Sequence, residues 1–130
     1  MRAEPTPAKY AIFGDVHGNL EALNAVLKSM EERGVTHYAC VGDIVGYGAN
    51  PVECVEKIRA LGGKVVLGNH DAGAVEKTDI RFFNSAAREA VEWTREVLNG
   101  SSASFLSDLP YVARTESFTL VHASLGNPEH

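Results

Sequence analysis

Three stretches of the sequence end an apolar run with glycine and then a short oxygen-bearing side chain: Phe13-Gly14-Asp15, Val41-Gly42-Asp43 and Leu67-Gly68-Asn69. His17 lies beside the first, and His122 directly follows the apolar run Phe118 to Val121. Carboxylate, imidazole and amide oxygen are donors that hold divalent transition metals. Asp15, His17, Asp43, Asn69 and His122 are therefore a candidate ligand set. Taken singly, each has a plain structural use, since Asp and Asn after a strand commonly form turns or cap helices, and a lone histidine is usually solvated or packed. The signal is the coincidence, because capping requires neither a histidine nor a shared location.

The elements around these residues predict that shared location. Tyr10 to Phe13 has the length of a buried strand, and Leu20, Leu23, Leu27 and Met30 recur at helical spacing until Gly34. Tyr38 to Val41 reads as a second strand. Asn50, Pro51 and Glu53 read as cap, first turn and early carboxylate of a helix running to about Leu61. Gly62-Gly63 ends it and Lys64 to Leu67 gives a third strand. After a polar loop, Ala87, Ala90, Val91, Thr94, Val97 and Leu98 form a helical stripe closed by Gly100. Residues 101–110 predict a short helical turn, Tyr111 to Ala113 a short edge strand, and Phe118 to Val121 a fourth main strand. Strands alternating with helices predict an α/β fold with a mainly parallel sheet and flanking helices. In such a sheet the carboxyl ends of the strands share one edge, where ligands bind. Glycine before each donor lets the backbone approach an ion closely.

Composition narrows the partners. With 130 residues and 45% apolar content the chain fits one domain with a real core. A formal charge of -5 leaves no footprint for a nucleic-acid backbone, so a nucleic-acid scaffold role is not expected. The first residues lack the apolar run of a secretory signal and no stretch approaches a membrane span, so no membrane role and a cytoplasmic location are expected. Cys40, in a strand-like run, and Cys54, in a helical pattern, read as packed, reduced thiols. Other motifs fail on inspection. Gly46-Tyr47-Gly48 begins like a dinucleotide fingerprint, but Pro51 stands where a third glycine is required. A calcium loop starting at Asp15 would put Val26 in place of the bidentate Glu. No Walker lysine motif, Gly-x-Ser-x-Gly or Cys–His pair is present.

The blocks Gly14-Asp15-Val16-His17-Gly18-Asn19, Gly42-Asp43-Ile44-Val45-Gly46-Tyr47-Gly48, Gly68-Asn69-His70-Asp71 and Val121-His122 follow one another in order. Together they resemble the signature of calcineurin-like metallophosphoesterases, and the Gly-Tyr-Gly element with the 83–94 region resembles a bacterial phosphoesterase branch. The resemblance implies a four-layer αββα sandwich and a hydrolase acting on phosphate esters, as a phosphodiesterase or phosphomonoesterase. It implies two divalent metal ions bridged by Asp43, with Asp15 and His17 on one side and Asn69 and His122 on the other. The donor types suit manganese, iron, zinc, nickel or cobalt. It further implies that His70 stabilises the transition state or protonates the leaving oxygen, with Asp71 orienting its ring. Tyr47, Arg81 and Asn84 are candidates for contacts with the leaving group.

One departure stands out. The family's later Gly-His-x-His block, which supplies two more histidines, has no counterpart here. His130 cannot replace it, and His37 precedes the second strand, at the opposite edge of the sheet. Residues 1–130 are therefore expected to be a calcineurin-like domain truncated before that strand, with reduced metal affinity and activity, or a non-catalytic module that binds metal or phosphate. An uncovered apolar face would favour a homodimer or higher oligomer.

Overall fold

The computed structural model describes residues 7–128; His130 lies outside them. The chain runs β1 (Tyr10–Phe13), α1 (Leu20–Glu32), β2 (His37–Cys40), α2 (Pro51–Leu61), β3 (Lys64–Val65), α3 (Asn69–Ala74), a 3-10 turn (Ile80–Phe82), α4 (Ser85–Val97), α5 (Gly100–Ser107), β4 (Val112–Arg114) and β5 (Thr119–Val121). The first three strands form a parallel sheet in the order β1-β2-β3, with Phe13 opposite Cys40 and Cys40 opposite Val65. Each strand returns through a helix, as right-handed crossover geometry demands of parallel neighbours. None of the described helices is long and apolar enough to cross a membrane.

Local signals explain most helix boundaries. Asn19, Asn84 and Asn99 each accept a hydrogen bond from the amide three residues on, from Ala22, Ala87 and Ser102, which satisfies a donor the first turn leaves free. Asn50 also precedes a helix, but its side chain donates to Glu53 and caps no amide. Gly62, at a φ of 70°, ends α2 in the left-handed conformation.

All five helices lie on one face of the parallel sheet. There Leu23, Cys54, Val55, Ile58, Val91 and Leu106 close over Cys40 and Val65 to form the main core. The other face is covered differently from the expectation. Phe118 to Val121 does not join the parallel sheet as a fourth strand; β5 pairs antiparallel with β4, Val112 opposite Val121. Leu120, Phe118 and Ala113 of this hairpin pack on Ala39, Val41 and Val66. A three-residue apolar strand fits either sheet by its own pattern; packing on Ala39 and Val66 decides its place. Helices, parallel sheet and hairpin thus make three successive layers of the αββα order.

Two helices were not foreseen at their true extent. The polar segment after Leu67 contains α3, a buried helix of six residues whose Gly73 lets it pass close to Ile80 and Val91. Gly100 does not merely close α4. Asn99 caps a new two-turn helix, and Gly100 is its first residue.

Candidate metal centre

The loops after β1 and β2 are stitched together by main-chain hydrogen bonds beyond the strands themselves. Asp15 N donates to Gly42 O at 3.0 Å, His17 N to Asp43 O at 2.9 Å, Gly18 N to Ile44 O at 2.8 Å, and Gly48 N to His17 O at 2.7 Å. This ladder holds side chains 28 residues apart in sequence on one rim. A Cβ at Gly68 would stand 2.2 Å from Asp43 Oδ1, so the third loop reaches the acid only through glycine.

On that rim two carboxylates and two imidazoles converge. Asp15, His17 and Asp43 each offer a donor atom within 4.8 Å of the others. Asp43, 4% exposed, presents Oδ2 at 3.6 Å from His17 Nε2 and 3.4 Å from His122 Nε2. Asp15, whose side chain is well exposed, approaches His17 Nε2 at 4.0 Å. Asn69 Oδ1 stands 3.1 Å from His122 Nε2. Asp15, His17, Asp43, Asn69 and His122 are therefore brought together along one edge. His37 is at the far edge, beside Thr36 Oγ1.

The outer nitrogens decide what these contacts mean. His17 Nδ1 is 3.1 Å from Val45 O, and His122 Nδ1 is 2.7 Å from Val41 O. A carbonyl oxygen only accepts, so each Nδ1 carries a hydrogen, and in its metal-ligating form each ring would turn an Nε2 lone pair toward Asp43. Lone pairs of two imidazoles, a carboxylate and an amide oxygen then face one another across 3.1–3.6 Å. Such an array would be satisfied by cations between the donors, the arrangement in which a second hydrogen bond fixes a ligating histidine's tautomer. The donor set fits divalent metal.

Backbone geometry points the same way. Asp15, His17, Asp43 and Tyr47 all adopt positive φ, between 49° and 65°, a region disfavoured for residues with a side chain. Of the five described non-glycine residues with positive φ, four lie at this rim. Strain of this kind collects where surrounding structure fixes a functional geometry.

Asp71 acts otherwise than expected. It does not orient His70. Its Oδ1 accepts from Ile44 N and Val45 N at 2.9 and 3.1 Å, and its Oδ2 from Asp43 N and Gly68 N at 2.8 and 3.0 Å. Four amides take up both oxygens, leaving none for an imidazole. Burial and the Asp43 carboxylate push the Asp71 pKa up to about 7, while these amide donors pull it down. A proton on either oxygen would displace an amide, so the ionised form is the one this loop is built around. Such a role was invisible in the sequence, because amide partners have no residue type of their own.

His70 sits on the opposite side of Asp43, its backbone N–H donating to Asp43 Oδ1 at 3.0 Å. Its buried Nδ1 has no hydrogen-bond partner among the described residues and lies against Gly46, where a Cβ would come within 2.6 Å. Burial lowers its pKa below the usual imidazole range, partly opposed by Asp43, so the ring is neutral near pH 7. The ring packs between His17, Tyr47 and Phe83 at centroid distances of 4.8, 5.1 and 5.2 Å. Of the three side chains expected to meet a leaving group, Tyr47 and Asn84 line the cleft beside His70, whereas Arg81 is turned into an ion pair with Asp79 at 2.6 Å.

Known proteins share this sequence pattern and fold. The model of the calcineurin-like phosphoesterase family matches residues 8–128. An uncharacterized protein of Methanocaldococcus jannaschii is 45% identical over 121 residues, covering 92% of this chain and 50% of that protein. The crystal structure of a metallophosphoesterase from Sphaerobacter thermophilus superposes with a TM-score of 0.80 at 38% identity, covering 95% of this chain and 51% of the other. That of a hypothetical protein from Pyrococcus horikoshii OT3 superposes at 0.79 with 25% identity, over 95% and 57% of the two chains. The chain spans about half the length of these relatives. Matched along nearly all of its described length, the chain belongs to the calcineurin-like phosphoesterase family.

Proposed function

We propose that this chain contributes the amino-terminal part of a cytoplasmic, metal-dependent phosphoesterase that hydrolyses a phosphate mono- or diester at a dinuclear centre. Asp43 would bridge the two cations, with Asp15 and His17 holding one and Asn69 and His122 the other. The observation that carries the reading is Asp43 Oδ2 standing between two imidazole Nε2 atoms whose Nδ1 atoms are tied to backbone carbonyls. Manganese, iron, zinc, nickel and cobalt all suit mixed carboxylate, imidazole and amide donors. When bound, such cations supply Lewis acidity: they acidify water held between them and neutralise charge growing on the phosphoryl oxygens.

The chain's own residues do the rest. Asp71 fixes the turn that carries Asp43, so the bridging acid is preset before any ligand arrives. Val41 O and Val45 O keep the proton of each ligating ring on Nδ1, away from the centre. His70, neutral and lining the cleft next to Asn69, can give a hydrogen bond from its ring N–H to the phosphoryl group, whereas protonating the leaving oxygen would require its imidazolium form. The remaining histidines of the family's Gly-His-x-His block would complete the centre in the whole domain.

Reconstitution with manganese, metal analysis and hydrolysis of a chromogenic phosphodiester test the reading. Stoichiometric metal and turnover are expected, with Asp43→Asn lowering turnover at least about a hundredfold and His70→Ala keeping metal while losing most turnover. Metal without turnover selects the binding-module alternative. No retained metal rejects the ligand assignment.

A further inference from the structure

We propose that Tyr47 is a positioning residue: contact with its ring, in place of a hydrogen bond, sets the direction in which the His70 imidazole faces a bound phosphoryl group. This rests on the phosphoesterase reading and adds to it the feature that aims one of its donors. A hydrogen bond to a transition state stabilises it best when the donor is already held in the right direction. An imidazole commonly takes that direction from a partner on its other nitrogen. His70 lacks one. Asp71, next in sequence, has both oxygens taken by four amides, and His70 Nδ1 is buried without a hydrogen-bond partner among the described residues. His17 makes the contrast, since its Nδ1 is tied to Val45 O at 3.1 Å.

Rings stand where the partner is missing. Tyr47 and Phe83 lie against His70 at centroid distances of 5.1 and 5.2 Å and tilts of 41° and 36°. His17 meets both His70 and Tyr47 edge to face, at 72° and 73°. Aromatic contacts prefer particular mutual orientations, so they restrict how a ring turns as well as where it sits. Phe83 is a fixed wall, because it packs on the main core. Tyr47 is half-exposed and belongs to no core cluster; it lines both the cleft that contains Asn69 and His70 and the one that contains Asp15 and His17.

The backbone is arranged to put a ring at this point. Tyr47 has a φ of 65°, a conformation that glycine takes freely and tyrosine only against steric resistance. Its neighbours are glycines that cannot carry a side chain. A Cβ on Gly46 would stand 2.6 Å from His70 Nδ1, and one on Gly48 would stand 2.2 Å from His17 O, to which Gly48 N donates at 2.7 Å. The turn is thus pressed on the ring of one histidine and the main chain of the other, which fixes the place from which the Tyr47 ring projects. A third glycine would relax the turn and leave His70 without this contact.

Tyr47→Gly therefore separates the ring from the fold, and Tyr47→Asn, also tolerant of this φ, is a second ring-free variant should the first fold poorly. Three-bond couplings across Cα–Cβ, measured by NMR with zinc added, read the χ1 rotamers of the histidines. In the unaltered protein His17 and His70 are each expected in a single rotamer. In the ring-free variants His70 should average over rotamers while His17, still tied to Val45 O, stays in one. The melting temperature of Tyr47→Gly should be unchanged or raised, because strain is relieved. With manganese retained, kcat for a chromogenic phosphodiester should fall about tenfold or more and KM should stay within about twofold. Tyr47→Phe, which restores the ring without the hydroxyl, should bring back both the single rotamer and turnover. A single His70 rotamer in the ring-free variants, averaging that Tyr47→Phe does not reverse, or averaging with kcat unchanged overturns the proposal. If the unaltered protein neither retains metal nor turns over, the phosphoesterase reading fails by itself, and the couplings still decide whether Tyr47 sets the ring.

Discussion

The two faces of the parallel sheet are built to different depths, and the donors divide between them. On the helix face, Ile44, Val45, Cys54, Val55, Ile58 and Leu106 are fully or almost fully buried around Cys40. On the hairpin face, Ala39, Val66 and Leu120 are the buried members, and Ile12 of β1 remains 59% exposed. Asp43 follows the first group through the main-chain ladder and the four-amide grip of Asp71; His122 arrives from the second, at the end of β5. One side of the centre is therefore welded to the core, and the other is delivered by a two-stranded hairpin, a unit that is marginal without a partner surface.

The sharpest way to break this contrast is Asp71→Asn. An amide nitrogen would face two N–H donors that now share a carboxylate oxygen, leaving buried donors unsatisfied. The expected cost is about 3 kcal/mol or more in a urea melt, with loss of metal even under conditions where the variant folds. A loss below about 1 kcal/mol would mean the loop does not depend on that carboxylate.

Truncations graded across the sheet come next. Ile58→Ala should cost about 3–4 kcal/mol, Leu120→Ala about 2, and Ile12→Thr under about 1. Leu120→Ala should in addition weaken metal retention more than Ile58→Ala does, because His122 lies two residues beyond the deletion. Equal metal loss in the two variants would erase the division between the faces.

The cysteines probe the deep side most gently. Burial pushes the Cys40 thiol up to about 12 and the Cys54 thiol to about 11. Both should stay protonated and resist alkylation in the folded protein at pH 8, reacting only on unfolding. Unfolded thiols ionise near 9.0 while the folded ones do not, so stability is intact below that pH and declines as pH rises above it. Rapid labelling under native conditions would show that this face opens locally.

The sequence made some of this legible and hid the rest for identifiable reasons. Gly-Asp, Gly-Asp and Gly-Asn after three apolar runs were enough to predict Asp15, Asp43 and Asn69 on one edge, because parallel strands put their ends together whatever lies between. The short α3 was missed since a helix of Asn, His, Asp, Gly and Ala has no apolar stripe to announce it. β5 was assigned to the wrong sheet because three apolar residues do not say which neighbour they pair with. The cleft beside His70 is only partly legible in the sequence: Tyr47 and Asn84 stand beside recognisable blocks, whereas no pattern distinguishes the exposed Phe82 from a packed phenylalanine. Asp71 is paired with His70 by the family resemblance, while its partners in the structure are peptide groups from three different residues of the preceding loop and one of its own.

The rings of His122 and His17 are tied to carbonyl oxygens, at Val41 and Val45, and Asp43 Oδ1 accepts from the amide of His70. Apart from the Asp71 carboxylate, what holds these side chains is main-chain groups, common to every residue type. Substitutions at Val41 and Val45 that keep the main chain in place leave those carbonyl grips untouched. Proline is the exception at both positions, since it would remove the N–H that Asp71 accepts at Val45 and the one that donates to Phe13 O at Val41.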